Sequence, residues 1–197
     1  MDKVFFDFIK PYLTYIDEGK IYREPFNWLY TILAILNLIF PLYVFYLAID
    51  NNIFDVGAKF IIVFLLLWLF IAFAGWVSFQ IWWDRKEKVA GISSDKDDFV
   101  ATPVFSHFIQ TSGEWVGTWI AIVGFGTALL TTIFLGDEAR FFTQATGLGF
   151  MGTGFLSIIL MPVYGFLVII ATRFLSEIFR AIAAIANNTK KTSGPTI

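Results

Sequence analysis

Four stretches of this chain contain no Asp, Glu, Lys, Arg or His, and each is long enough to cross about 30 Å of hydrocarbon, which takes about 20 helical residues. They run near Trp28–Ile49, Phe60–Trp83, Trp115–Leu135 and Met151–Thr172, and together make up a little under half of the 197 residues. Backbone groups in lipid must be paired internally, and these runs lack the alternation of a barrel strand, so each is predicted to be a helix. Composition agrees: 15% of residues are charged, against roughly 25% in a soluble domain, and mean hydropathy is +0.71. The predicted fold is an all-α integral membrane protein with four transmembrane helices. Residues 1–27 form an N-terminal interfacial amphipathic segment and residues 28–186 the transmembrane domain. The latter includes a middle loop, 84–114, and a helical extension of the last span, 173–186; residues 187–197 form a disordered tail.

Orientation follows from the positive charges. Of the 14 Lys and Arg, all but Lys59 and Arg140 fall in the N-terminal segment, the middle loop and the C-terminal segment. This places both termini and the middle loop in the cytoplasm. Trp28, Trp82, Trp83 and Trp115 stand at the predicted cytoplasmic boundary, where an indole ring sits among acyl chains with its N–H at the headgroups. No cleavable leader is recognisable in Met1–Asp17, and the chain is expected to enter the membrane by its first span. Asn187-Asn188-Thr189 has the form of a glycosylation sequon but lies on the cytoplasmic side, where it is a chance match.

Both ends read as amphipathic helices. Lys3, Asp7, Lys10, Thr14 and Asp17 recur at steps of four and three, with Phe5, Phe8, Ile9, Tyr12, Leu13 and Ile16 on the other face. Such a helix lies along the membrane surface, bent or broken at Pro11. Beyond the fourth span, Leu175, Ile178, Ile182 and Ile185 make a stripe, while Arg173, Glu177 and Arg180 take the opposite side, with Arg173 one turn from Glu177. Phe5, Phe8 and Tyr12 and the stripe Leu175, Ile178, Ile182 and Ile185 are the candidate partner-docking residues.

Residue types exclude much chemistry. With no cysteine and one histidine, disulfides, thiolate metal sites, iron–sulfur clusters, bis-histidine haem and zinc hydrolase centres cannot be assembled, and no cofactor is expected. A net charge of −2, with no basic run carrying interleaved aromatics, points away from nucleic acid. No charge stands at the centre of any span, which weakens proton pumping, ion-coupled transport and voltage sensing. His107 and Glu114, seven residues apart, share a helix face with Gln110 or Thr111 between them, a polar pair at the lipid–water boundary. No nucleophile or metal set completes a catalytic site around them. Asp95, Asp97 and Asp98, beside Ser93 and Ser94, lack the glycine and distal glutamate of a calcium-binding hand and read as a solvated loop capping the next helix.

The remaining polar and small residues are expected to hold helices together. Asn37, four residues before Pro41, lies near the carbonyl that the proline leaves unpaired and can donate there or to a neighbouring helix. Gly113 and Gly117 form a G-x-x-x-G pair, followed by Gly124 and Gly126, and Gly152 precedes the fourth span; these mark close helix approach. Pro162 is expected to kink that span.

The opening Phe5-Phe6-Asp7-Phe8 and the closing Arg173–Asn188 extension, ending in Ala-Ile-Ala-Asn-Asn-Thr, resemble uncharacterised small bacterial inner-membrane proteins classed as domains of unknown function. The aromatic-rich style is similar to that of Bacteroidota sequences. The resemblance implies a multi-pass protein of the bacterial inner membrane and carries no activity or cofactor. The function expected is a non-enzymatic accessory or scaffolding subunit, whose partners are the bilayer and other membrane subunits or a second copy of itself. The alternatives are a homo-oligomeric channel or small transporter lined by the threonines and glycines of the third span, and a lipid-modifying enzyme using His107 and Glu114.

Overall fold

The computed structural model of the protein describes residues 2–17, 20–91 and 101–192. Among the described residues there is no strand. The α-helices are α1 (Asp2–Asp17), α2 (Lys20–Asp50), α3 (Ala58–Ala90), α4 (Ala101–Trp119), α5 (Phe125–Leu130), α6 (Ala139–Ala145) and α7 (Phe155–Thr192). One-turn π segments at Ile120–Gly124 and Thr131–Leu135 stand before and after α5, so that α4 and α5 form one rod. Four helical stretches are long and apolar enough to cross a membrane: Arg23–Asp50, Ala58–Ala90, Ala101–Gln144 and Phe155–Thr189. This is the architecture of a multi-pass membrane protein.

The helices outrun the apolar runs. Much of segment 84–114, expected as a loop, is helical, because α3 continues to Ala90 and α4 begins at Ala101. Nothing between Gly75 and Gly91 interrupts α3, and the Gly91 N–H closes its last turn on Glu87 O at 3.1 Å. Pro103 stands in the first turn of α4, where a missing N–H costs nothing. The tail expected to be disordered from 187 is helical to Thr192; the first helix breakers downstream are Gly194 and Pro195. Of the bend or break expected at Pro11, there is no break, since α1 continues through it, and α7 likewise runs on through Pro162. The acidic loop Asp95, Asp97 and Asp98 lies outside the described residues.

The four long helices form a row. Helix α2 packs on α3, α3 on the α4–α5 rod, and α7 on the other side of that rod, leaving α2 and α7 as the outer members. Two apolar cores result. One gathers Val63, Leu67, Ile71, Val123, Leu130 and Met161; the other gathers Tyr30, Ala34, Trp82, Val89 and Val104 at the end that carries both termini.

Glycines decide two of the crossings. Pro41 has no N–H to offer the Asn37 carbonyl, and Gly75 of α3 covers it: a Cβ there would stand 2.6 Å from Asn37 O and 3.0 Å from Pro41 Cγ. That leaves room for a Cα–H···O contact to the orphaned carbonyl. Between α4 and α7, a Cβ on Gly117 would meet Gly165 O at 2.5 Å and Ile169 Cγ1 at 2.6 Å, and one on Gly113 would overlap Thr172. Gly124 abuts Met161 and Gly126 abuts the Phe70 ring. At the far end, the chain turns into α7 through Gly147, Gly152 and Gly154, all with positive φ.

Candidate functional site

The charged groups that flank separate spans in the sequence converge at the end of the row carrying the termini. Glu114, on α4, is 6% exposed. Arg85 at the end of α3 donates to it through Nε (2.9 Å to Oε2) and Nη2 (3.2 Å to Oε1). Arg173 of α7 donates from the opposite side through Nη2 (2.7 Å) and Nε (3.1 Å), both to Oε1. Gln110, one turn earlier on α4, adds Nε2 at 3.0 Å. One carboxylate thus meets guanidiniums from two other helices, Arg85 reaching both oxygens and Arg173 closing both of its N–H groups on Oε1.

The cluster continues outward along α4 and α7. Arg180 Nη2 donates to Gln110 Oε1 at 2.8 Å and to Ser176 Oγ at 2.9 Å. Ser106 Oγ, fully buried, bonds Ser176 through both its hydroxyl and its carbonyl, each at 2.8 Å. Arg173, expected to pair with Glu177 one turn away, turns to Glu114 instead. A buried carboxylate gains more from a second cation than an exposed one does.

His107 and Glu114 lie on one helix but make no bond to each other. The Tyr30 hydroxyl from α2, buried in the core, is 3.1 Å from His107 Nδ1 and donates to Thr111 Oγ1 at 3.4 Å. Thr111 Oγ1 is committed to His107 O at 2.9 Å. The two hydroxyls bonded around the histidine, those of Tyr30 and Thr111, are therefore buried and committed to one another and to the backbone. Among the described residues no group of three His, Cys, Asp or Glu side chains converges. What this arrangement does is lock the ends of α2, α3, α4 and α7 to one another.

A second polar junction lies deeper. Asn37 Nδ2 donates back to Leu33 O at 2.8 Å, while its Oδ1 accepts from two indoles one turn apart at the end of α4, Trp115 Nε1 at 2.8 Å and Trp119 Nε1 at 3.1 Å. A third indole, Trp68 Nε1, donates to Pro41 O at 2.8 Å. Trp115 was expected in an outer belt with Trp82, and the structure corrects both. Trp82 is fully buried against Tyr30 and Trp115, and Trp115 points its N–H inward to Asn37. An internal amide acceptor and an edge-to-ring cluster outweigh the headgroup position. Of the four indoles, Trp28 and Trp83 remain exposed.

Asn37→Leu is expected to leave two indole N–H groups without an acceptor, about 1–3 kcal/mol for each buried donor, and to lower the melting temperature in detergent. Equal melting of Asn37→Leu and the parent chain would remove the junction from the list of stabilising contacts.

Threonines of the third span serve their own helix. Thr127 Oγ1 donates to Val123 O and Thr131 Oγ1 to Thr127 O, both at 2.7 Å, and both side chains are buried. A π turn leaves carbonyls without their usual partner, and a threonine hydroxyl four residues on supplies one. Thr118 does the same to Glu114 O at 2.6 Å.

Sequence reasoning singled out Glu114, His107, Asn37 and the glycines; it read Arg85 only as a topology charge, Arg173 and Arg180 only as the polar side of the last helix and Gly165 only as part of a kink, and it gave Tyr30, Ser106, Ser176 and Gly75 no role. A usable sign was present: Arg85 and Arg173 end their apolar runs, and Glu114 begins its own, at one end of the row. Compared with family models, with curated proteins and with solved structures, the chain matches none.

Proposed function

We propose that this protein is a non-enzymatic accessory or scaffolding subunit of a membrane complex, docking through α7. The observation that carries this reading is the position of α7. It packs chiefly on the α4–α5 rod and continues well past Arg173 and Glu114, with Leu175, Ile178, Ile182 and Ile185 exposed. At 1.5 Å per residue, Ile185 lies about 18 Å further along the helix than Arg173. An apolar ridge that far beyond the hydrocarbon needs a protein surface to cover it.

Helix α1 does not supply that cover, because it lies on α2, where Tyr15 Oη donates to Glu24 Oε2 at 2.9 Å. It presents Phe8 and Tyr12, and this suits an interfacial helix on the bilayer surface. The Phe5 side chain is outside the described set. We place the charged end, with both termini, in the cytoplasm of a bacterial cell and the protein in its inner membrane, on the distribution of Lys and Arg. The back-bonded threonines of the third span favour a packed rod over a pore lining.

Gentle extraction of a tagged full-length chain from its host, with mass determination, is expected to yield a stoichiometric foreign subunit. Ile182→Glu with Ile185→Glu should release that subunit while leaving the melting of the isolated chain unchanged. A symmetric homo-oligomer with no companion would overturn the accessory reading. Since the chain has no native cysteine, Asn188→Cys should react with an impermeant maleimide only from the cytoplasmic face and Asn52→Cys only from outside. The opposite labelling would invert the topology.

A further inference from the structure

We propose that the Arg85–Arg173–Arg180 cluster binds the phosphate of an anionic phospholipid headgroup. The argument begins with unbalanced charge. Glu114 is the acceptor for both Arg85 and Arg173, so one carboxylate faces two guanidiniums. The next carboxylate, Asp84, lies 3.6 Å from Arg85 Nη1 but is held by Lys88 at 2.8 Å. Arg180 rests on neutral acceptors only, Gln110 and the Ser176 hydroxyl and carbonyl. Glu177, exposed between Arg173 and Arg180 in sequence, makes no ion pair among the described residues. The bonded cluster of Arg85, Lys88, Arg173 and Arg180 against Asp84 and Glu114 therefore carries two positive charges in excess.

Such an excess beside a low-dielectric interior is unfavourable until an anion joins it. The geometry admits one. Arg173 is half exposed, with its Nη1 making no hydrogen bond among the described residues, while its Nε and Nη2 are pinned to Glu114. Pinning fixes the plane of the guanidinium, so its open edge is presented without further loss of side-chain freedom, the condition under which a fork binds phosphate well.

The level of the cluster selects the source of the phosphate. Arg173 directly follows the charge-free run Met151–Thr172, and Glu114 directly precedes the run from Trp115. Both therefore stand where hydrocarbon gives way to headgroups. On α3 at the same level, Trp83 is exposed with Lys86 Nζ 4.5 Å from its ring centre, an indole–cation pair suited to the headgroup zone. Basic pockets between spans on the cytoplasmic side are matched to anionic headgroups. The inference is independent of whether a partner docks on the α7 ridge.

The test uses the full-length chain, delipidated in detergent. Dioctanoyl phosphatidylglycerol and dioctanoyl phosphatidylcholine are titrated separately and bound lipid is counted by native mass spectrometry, with inorganic phosphate in a third arm. Phosphatidylglycerol is expected to bind several-fold more tightly than phosphatidylcholine. Arg180→Gln, which breaks no ion pair but loses the bonds to Gln110 and Ser176, should weaken phosphatidylglycerol about fivefold while lowering lipid-free melting by far less than Glu114→Ala does. Arg173→Gln should weaken it at least as much. Equal affinity for the two lipids, or undiminished phosphatidylglycerol binding in both variants, overturns the proposal. So does binding of inorganic phosphate with no preference for the anionic lipid, which would assign the cluster to a soluble phosphate.

Discussion

Glu114→Ala is expected to destabilise the protein more than truncation of any other member of the charged cluster. The carboxylate accepts five hydrogen bonds from three side chains, four of them from guanidiniums. Removing it strands Arg85, whose side chain is 20% exposed, beside a second cation on α7. Breaking a buried pair by deleting one partner costs about 3–5 kcal/mol. Arg173, at 51% exposure, can turn to water and recover part of its share, so the low end of that range applies. For a chain of this size about 3 kcal/mol corresponds to a fall of roughly 6–12 °C in melting temperature. Glu114→Gln keeps the oxygen that faces Arg173 but loses the charge, and should fall between the parent and the alanine variant. Gln110→Ala, which removes one donor among five, should cost about 1 kcal/mol or less. If Glu114→Ala melts with Gln110→Ala, the carboxylate is not the fastener of α3 and α7.

The reach of the sequence is set by which forces are local. A charge-free apolar run identifies a span because hydrocarbon thickness and the demand for internal backbone pairing act on that segment alone. For this reason all four long helices were readable. Helix ends were less so. Asp84–Ala90 and Asn187–Thr192 are polar, yet no glycine or proline interrupts either, so the helix propagates past the hydrophobic signal. Side-chain partners were the least legible because they depend on which faces meet. By spacing alone Arg173 belongs to Glu177, but α4 brings a buried, already charged acceptor within reach, and a local pair on an exposed surface contributes only tenths of a kcal/mol. Trp82 and Trp115 likewise carry the same composition signal as Trp28. Only the approach of α2, bringing Tyr30 and Asn37, distinguishes an inward indole from one at the headgroups. Asn37 was legible because its value is tied to Pro41, four residues away on its own helix. Gly75 was not, since the carbonyl it accommodates belongs to a different helix.

The row arrangement makes the α4–α7 crossing the weakest link to repair once disturbed, and Gly117→Leu is expected to open it. Any Cβ at 117 falls 2.5 Å from the Gly165 carbonyl oxygen and 2.6 Å from Ile169 Cγ1. The first of these is backbone and cannot swing aside, so the helices must separate. Overpacking of a rigid contact costs about 1–3 kcal/mol, and separation adds the dispersion contacts that small residues permit between helices in lipid. It also pulls Ser176 from Ser106 and Arg173 from Glu114, bonds made at 2.8 Å and 2.7 Å across the same interface. Because α7 packs chiefly on this rod, little else among the described residues holds it. Hydrogen exchange should therefore rise along α7 while α2 and α3, packed on each other, keep their protection. Gly124→Ala is the graded comparison: its Cβ meets only Met161 side-chain atoms at 3.0 Å, and a methionine can re-pack, so exchange there should change little. Uniform loss of protection in Gly117→Leu would mean that the four helices unfold as one unit and that α7 is not separable. Parent-like exchange would mean that the crossing tolerates separation without loss of the polar bonds beyond it at the charged end.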